Sequence, residues 1–416
     1  MDDIIFLIKG NRNGEPFAAE MYQGGEQPYF TLRWQEDEGE LHIRIIPKEF
    51  DEYGEPVGDL TLESVTLTFP WKCRGGKQPE QIFMNGYQSW TDSHEHTVGE
   101  KEPAISPFAS GMVEKYYLDR YGDSLFTMKG TAAGQFHGFT YCYFRDGVTY
   151  RFVGSLSERS GFTVFYYNAD AGQMSIEKDC AGVKISGEWN AFDLVELTGG
   201  EDQVFDTYFE KMNIAKPKGR PMTGYTSWYN HYQNISAQII SDNLEHVHEM
   251  GQSFDAFQID DGYQTYVGDW LNVQKDKFPD GLEPIVDQIH EYGMKAGLWL
   301  SPFVCEKKSR CFRKHPDWLV RDVNGEPFCG GSNWSTFYAL DLSNEEVREY
   351  LREVFHQVLD VWGFDLVKLD FLYAVCMLPT EYKTRGQIMC EAMDFLREVI
   401  GDKLILGCGV PLGPAF

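Results

Sequence analysis

The chain has 416 residues, with 64 acidic against 37 basic side chains and a formal net charge of −27. That balance disfavours nucleic acid and anionic membrane surfaces as partners and suits a neutral or cationic one. A chain of this length calls for two domains, and 42% hydrophobic with 15% aromatic residues is ample for two large cores, which excludes a disordered chain.

Nine cysteines are scattered without a Cys-x-x-Cys pair, so neither a zinc site nor a disulfide framework is indicated. The opening Met1-Asp2-Asp3 lacks a basic n-region, and no run of about 18 apolar residues occurs. No secretory signal and no membrane span are expected, and the chain reads as cytoplasmic. Homo-oligomer formation is left open.

Residues 1–210 read as a β-sandwich domain. Val65, Leu67 and Phe69 alternate with Thr66 and Thr68, Phe162, Val164 and Tyr166 repeat the pattern, and so does Leu41 to Ile45. Turn clusters at Asn11–Gly14, Tyr53–Pro56 and Arg74–Gly76 punctuate these runs. Within this domain Met84 to Trp90 is a polar-aromatic loop, from which Trp90 and Tyr87 are candidates to reach a neighbouring site. A basic, Pro-containing segment, 211–222, marks the linker.

From 223 to 416 the texture becomes strand, loop, helix, repeated. Strands are predicted at Tyr225–Trp228, Phe254–Asp260, Lys295–Pro302, Asp365–Phe371 and Leu404–Cys408. Helices are predicted at about 235–250, 282–292, 344–362 and 386–400; Ser343 to Glu346 reads as a capping box and Gly251, Gly293 and Gly363 as stops. Polar residues gather at the strand C-termini, the pattern of a parallel sheet with its site at one end. A doubly wound sheet fits the alternation, but no Gly-rich phosphate turn follows the first strand. A (β/α)8 TIM-type barrel fits better, although about 195 residues and five strands supply only its first five β/α units.

Strand four carries the sharpest signal. Val367, Leu369 and Phe371 should point one way, beneath packed helices, with Lys368 and Asp370 on the opposite face. A lysine and a carboxylate facing the interior either pair structurally or work. In a barrel they would share a bowl with Trp228 at the end of strand one, Asp260 and Asp261 at strand two, and Trp299 at strand three. Three carboxylates, a lysine and several aromatics without a metal-binding His cluster suit a sugar, whose C–H faces dock on rings while its hydroxyls meet carboxylates. Asp260 and Asp261 are also compatible with Mg²⁺, but that ion favours phosphates, for which no cradle is visible, so neither metal nor cofactor is assigned.

The set Ile259–Tyr263, Gly268-Asp269-Trp270, Lys277–Pro279, Gly297–Trp299, Lys368–Asp370 and Gly407–Gly409 resembles the retaining α-galactosidases of glycoside hydrolase family 36, the melibiases. The resemblance runs from about 222 to the end, and the family carries a β-supersandwich before its barrel. It implies a hydrolase releasing terminal α-linked galactose from an oligosaccharide by double displacement. Asp370 would be the nucleophile, with Lys368 binding hydroxyls and helping to keep it ionised. Asp260 and Asp261 would take the 4- and 6-hydroxyls, Trp228 and Trp299 would form the apolar wall, Cys408 would lie near the 2-hydroxyl, and Trp90 would reach in from the β-domain. The family's acid/base Asp ends the sixth strand and has no counterpart in this sequence, and its sugar-binding arginine between strands three and four finds no clear match. Alternatives within the resemblance are a galactosyl transferase, an α-N-acetylgalactosaminidase, or a sugar-binding chain of weak activity.

Overall fold

Strand-period alternation in the first 200 residues becomes two antiparallel sheets in the computed structural model, which describes residues 3–22, 24–50, 54, 56, 58–74, 79–103, 105–123, 132–216, 220–251 and 254–416. The turn at Asn11–Gly14 joins a hairpin of Ile5–Arg12 and Glu15–Tyr22. The expected turns at Tyr53–Pro56 and Arg74–Gly76, and the middle of the linker, fall partly outside the described residues.

One sheet runs in the order Glu15–Tyr22, Ile5–Arg12, Leu60–Pro70, Gln173–Lys178, Thr163–Asn168, Gln135–Phe139, with Val183–Ile185 added beside Leu60–Pro70. The other runs Gly25–Glu26, Phe30–Asp37, Glu40–Pro47, Trp189–Gly199, Thr149–Ser155, Tyr141–Asp146, Gln81–Met84, Glu95–His96. Their inner faces meet: Phe6, Val65 and Leu67 from the first pack in one core with Leu32, Ile43 and Leu194 from the second. Thr68 points outward as alternation requires and hydrogen-bonds Ser175 on the next strand at 2.9 Å. A helix not foreseen in the sequence, Glu201–Lys211, closes this half by packing Val204 and Tyr208 onto Tyr150 and Phe152.

The strand Thr163–Asn168 is buried on both sides. Phe165 and Tyr167 face the sandwich core, whereas Phe162 and Val164 belong to the core of the second half. This makes the two halves one packed body. Gly386 lies where a Cβ would come within 2.6 Å of the Phe162 nitrogen, so only glycine permits that approach. Thr384 Oγ1 donates to the Ser160 carbonyl, and Arg385 pairs with Asp179 at 3.2 Å. Tyr87, fully buried here against Phe139 and Phe162, does not reach the site suggested for it; its hydroxyl meets Cys376 Sγ instead.

Five parallel strands follow in sequence order: Gly224–Thr226, Ala256–Ile259, Lys295–Leu300, Leu366–Leu369 and Leu404–Gly407. They are the first strands of a barrel, each shorter than expected at its C-terminal end because the chain turns out to build the site. Strand one stops at Thr226, and Trp228 opens a helical turn, Trp228–His231. Strand four stops at Leu369. Phe371 takes φ +54°, so the alternation ends and its ring turns into the bowl rather than beneath the helices. Val367 and Leu369 do lie under them.

Helices Ala237–Glu249, Glu283–Glu291, Glu345–His356 and Arg385–Ile400 cover the sheet. Two end signals differ from expectation. The cap of the third helix is Asn344, not Ser343, and its α-helical hydrogen bonding yields to a π-turn at Gln357–Val361 before Gly363. The capping box lies instead at Thr384–Gln387, with both reciprocal bonds made. No described helix is long and apolar enough to cross a membrane. All nine cysteines are free.

Candidate active site

Strand two releases its two carboxylates through Gly262, held at φ +121°, where a Cβ would lie 2.6 Å from the Gln233 carbonyl oxygen. Asp260 and Asp261 are both buried. Buried carboxylates need donors, and each is supplied. Asp260 Oδ2 faces Lys368 Nζ at 2.7 Å and Gln258 Nε2 at 3.0 Å, while its Oδ1 accepts the Asp261 N–H at 2.9 Å. Asp261 Oδ2 accepts from Gln233 Nε2 at 2.6 Å and Trp334 Nε1 at 2.9 Å, and its Oδ1 accepts from Gln264 Nε2 at 2.5 Å. Burial raises the Asp261 carboxyl above its ordinary range despite those three donors.

Strand four adds Lys368 and Asp370 on one face. Burial works against the Lys368 charge, but Asp260 in contact and Asp370 nearby more than offset it and hold the ammonium above its usual value. The direct partner of Lys368 is therefore Asp260, across the sheet, and not Asp370. Asp370 is oriented by Trp299 Nε1, which donates to its Oδ2 at 3.1 Å, and by the Phe371 N–H, which donates to Oδ1 at 2.9 Å. A carboxylate has about four lone-pair sites. Asp370 uses one on each oxygen for these N–H donors and also meets the Cys408 thiol, so it keeps acceptor capacity, whereas Asp260 and Asp261 are more nearly saturated.

The β-domain closes one side. Gly409 N–H donates to Ser89 Oγ at 3.2 Å and Leu412 N–H to the Tyr87 carbonyl at 2.8 Å, so the turn after strand five grips the 85–91 loop. That grip sets Trp90 edge-on to Phe371, with ring centroids 4.9 Å apart. Cys408, just past strand five, has its thiol pushed up to about 12 by burial and by the charge of Asp370.

Of the residues singled out from the sequence, Trp90, Trp228, Asp260, Asp261, Trp299, Lys368, Asp370 and Cys408 line one cavity of about 430 Å³, and Tyr87 does not. Tyr229, Gln233, Asn333, Trp334 and Phe371 complete it. Asn333 and Trp334 come from the long excursion between strands three and four, folded over the bowl by a small antiparallel sheet of Val304–Glu306, Phe337–Ala339 and Cys329–Gly331. Gly330 and Gly331 are the sequence trace of that fold: a Cβ on either would meet the Phe337 ring within 2.5 Å. The cavity can hold a small polyhydroxylated ring between aromatic walls, with charged acceptors on one side and an oriented carboxylate on another. A second hollow of about 400 Å³, lined in part by Leu118 and Tyr121, adjoins it and shares Trp90, Asn333 and Phe371.

Residues 204–392 match the family model described as Melibiase. Alpha-galactosidase Mel36A of Lactobacillus acidophilus is 31% identical over 151 residues, which cover 35% of this chain and 20% of that protein. Alpha-galactosidase AgaA of Geobacillus stearothermophilus is 30% identical over 184 residues, covering 41% and 24%. The alignments thus span about a fifth to a quarter of these curated relatives. Among solved structures, the α-galactosidase TtGalA of Thermus thermophilus, in complex with p-nitrophenyl α-D-galactopyranoside, superposes with a TM-score of 0.65 at 27% identity, covering 98% of this chain and 71% of that one. AgaA superposes with a TM-score of 0.59 at 17% identity, covering 93% and 55%, a likeness of fold. Motifs, domain order and strand-end geometry agree with these matches: residues 204–392 match the melibiase model, and the chain is similar in fold over nearly its whole length to α-galactosidases of glycoside hydrolase family 36.

Proposed function

We propose that this chain is the nucleophile-bearing part of a retaining α-galactosidase acting on terminal α-linked galactose. The observation that carries the reading is Asp370, a carboxylate oriented by Trp299 and not saturated by its donors, in the cavity that Asp260, Asp261 and Lys368 also line. In the first step an Asp370 oxygen attacks the anomeric carbon as the bond to the leaving oxygen breaks, giving a β-linked glycosyl ester. The leaving oxygen takes a proton as it departs. Water then attacks the same carbon, loses a proton and frees Asp370.

Asp260 and Asp261 each retain about one acceptor site for a sugar hydroxyl. Because both are buried, a sugar that presents no hydroxyl there leaves a desolvated acceptor unpaired, which is how such a site rejects the wrong epimer. The donors on Asp261 and the ammonium on Asp260 aim those sites before substrate arrives. We assign no acid/base among the described residues: of the carboxylates lining the cavity, two are taken up by their own donors and the third is the nucleophile.

An aryl α-galactoside with a good leaving group tests this, because its departure needs little protonation. The 416-residue chain is expected to hydrolyse it, and to hydrolyse melibiose far more slowly. Asp370→Ala should lower kcat by at least about a thousandfold. Azide should restore release of the aryl group and give the β-galactosyl azide. Near-normal turnover in that variant would remove the nucleophile assignment.

A second reading is favoured by one relative, the A type blood α-D-galactosamine galactosaminidase of Flavonifractor plautii, 30% identical over 173 residues. Preference for the N-acetylgalactosaminide over the galactoside would select it.

A further inference from the structure

Just beyond Trp90 the β-domain gathers three ligating side chains that the glycosidase reaction does not use. Asp92, His94 and His96 are spaced two residues apart. The strand Glu95–His96 is registered on Gln81–Met84 through Ile82 with His96 and Phe83 with Glu95. Glu95 points to the opposite face, where its carboxylate accepts from Arg145 Nε at 2.6 Å and the Tyr143 hydroxyl at 3.1 Å. That clamp fixes the rotation of the strand and with it the face shown by His94 and His96.

The three side chains converge. His94 Nδ1 lies 2.8 Å from Asp92 Oδ1, the two imidazole centroids are 3.9 Å apart, and one ligating atom from each residue lies within 4.8 Å of the others. The backbone is equally constrained: a Cβ on Gly86 would come 2.5 Å from the Asp92 carbonyl oxygen, and the Gly86 N–H donates to Ser93 Oγ. His96 is buried against Phe136, which fixes its ring. Glu100 Oε2 stands 3.4 Å from His96 Nδ1 as a further oxygen donor. Asp92 and His94 are partly exposed, which leaves an entry path.

We propose that Asp92, His94 and His96 bind one divalent transition ion of the Zn²⁺ type, with Glu100 or water in the remaining position. Two imidazoles and a carboxylate suit Zn²⁺, Co²⁺ or Ni²⁺ rather than Mg²⁺ or Ca²⁺. Tetrahedral bonds of about 2.0–2.1 Å need ligand atoms roughly 3.3 Å apart, a closure that rotation of the exposed Asp92 and His94 side chains supplies. No Cys-x-x-Cys marks this site; its trace in the sequence is Asp-x-His-x-His. A bound ion would tie down the segment that presents Trp90, two residues before Asp92. The proposal does not rest on the glycosidase reading.

The test uses the untagged, chelator-treated 416-residue chain titrated with Co²⁺, followed by visible d–d absorption and competed with Zn²⁺. One saturable equivalent per chain is expected, displaced by Zn²⁺, with Zn²⁺ raising Tm. His94→Ala and Asp92→Asn should each weaken binding at least about tenfold, the loss that removal of even an outer-shell partner brings, and should abolish the Tm rise. Asp92→Asn, a near-isosteric change at a partly exposed position, serves if His94→Ala fails to fold. Absence of saturable binding, or equal stoichiometry and affinity in the variants, overturns the site.

Discussion

Lys368 Nζ stands 2.7 Å from Asp260 Oδ2, bridging strand four to the end of strand two, rather than resting on Asp370 two residues along the chain. The pair joins two groups to which the proposed function gives sugar hydroxyls, and leaves Asp370 to be aimed by a neutral donor.

Lys368→Met should therefore act first through Asp260. Losing the ammonium leaves a buried carboxylate with only neutral donors, and breaking a buried pair in this way costs about 3 kcal/mol. Urea unfolding should show a lower midpoint at unchanged slope. Lys368→Met combined with Asp260→Asn should recover part of the loss, since no unpaired charge remains.

Trp299→Phe keeps a ring in the wall and removes the hydrogen bond to Asp370. Hydrogen bonds to a charged group contribute about 1.5–3 kcal/mol. The expected result is a fall in kcat of roughly ten- to a hundredfold on an aryl galactoside, with KM nearly unchanged. A change confined to KM would place Trp299 in binding alone.

Gly262→Ala asks for a Cβ at φ +121°, against the Gln233 backbone. Strain at such a position costs about 1–3 kcal/mol before any clash. The variant should lose stability by about 3 kcal/mol and lose activity even where it folds, because both aspartates and Gln233 would move together. Thermal melts with activity on the folded fraction separate the two effects.

His137 supplies a pH signature from outside the cavity lining. Burial disfavours its charge, but hydrogen bonds to Asp123 and Glu102 dominate and raise its pKa from the ordinary value to about 10. A histidine raised in the folded state contributes stability in full below its unfolded value, near 6.5, and that contribution is lost as pH climbs to about 10. His137→Gln should thus be clearly less stable than the parent at pH 6, with the gap closing toward pH 10. Urea midpoints across that range check the sign.

The sequence made Lys368 and Asp370 legible because a strand's period of two puts them on one face whatever surrounds it. The same rule failed one residue later, at Phe371, since nothing local announces a left-handed backbone at a phenylalanine. Asp260 and Asp261 could be read because Gly262 marks the release from the strand. Their donors could not: Gln233 and Trp334 lie 28 and 73 residues from Asp261, brought there by a loop and by a small sheet whose pairing is non-local. The cap of the third helix was misplaced by one residue because Ser343 and Asn344 are both good caps, and only the direction of the chain leaving Leu342 decides between them. The helix Glu201–Lys211 was passed over because its apolar stripe is short, with Val204 and Tyr208 its buried positions.

The central claim is a covalent bond between Asp370 and the anomeric carbon. Incubating the 416-residue chain with 5-fluoro-α-D-galactosyl fluoride, whose fluoride leaves without protonation and whose ring fluorine slows hydrolysis of the ester, should trap the intermediate. Peptide mass spectrometry should then find one fluorogalactosyl group per chain, on the peptide carrying Asp370. A label on Asp260, Asp261 or elsewhere, or no label on chain that cleaves the aryl galactoside, would contradict it.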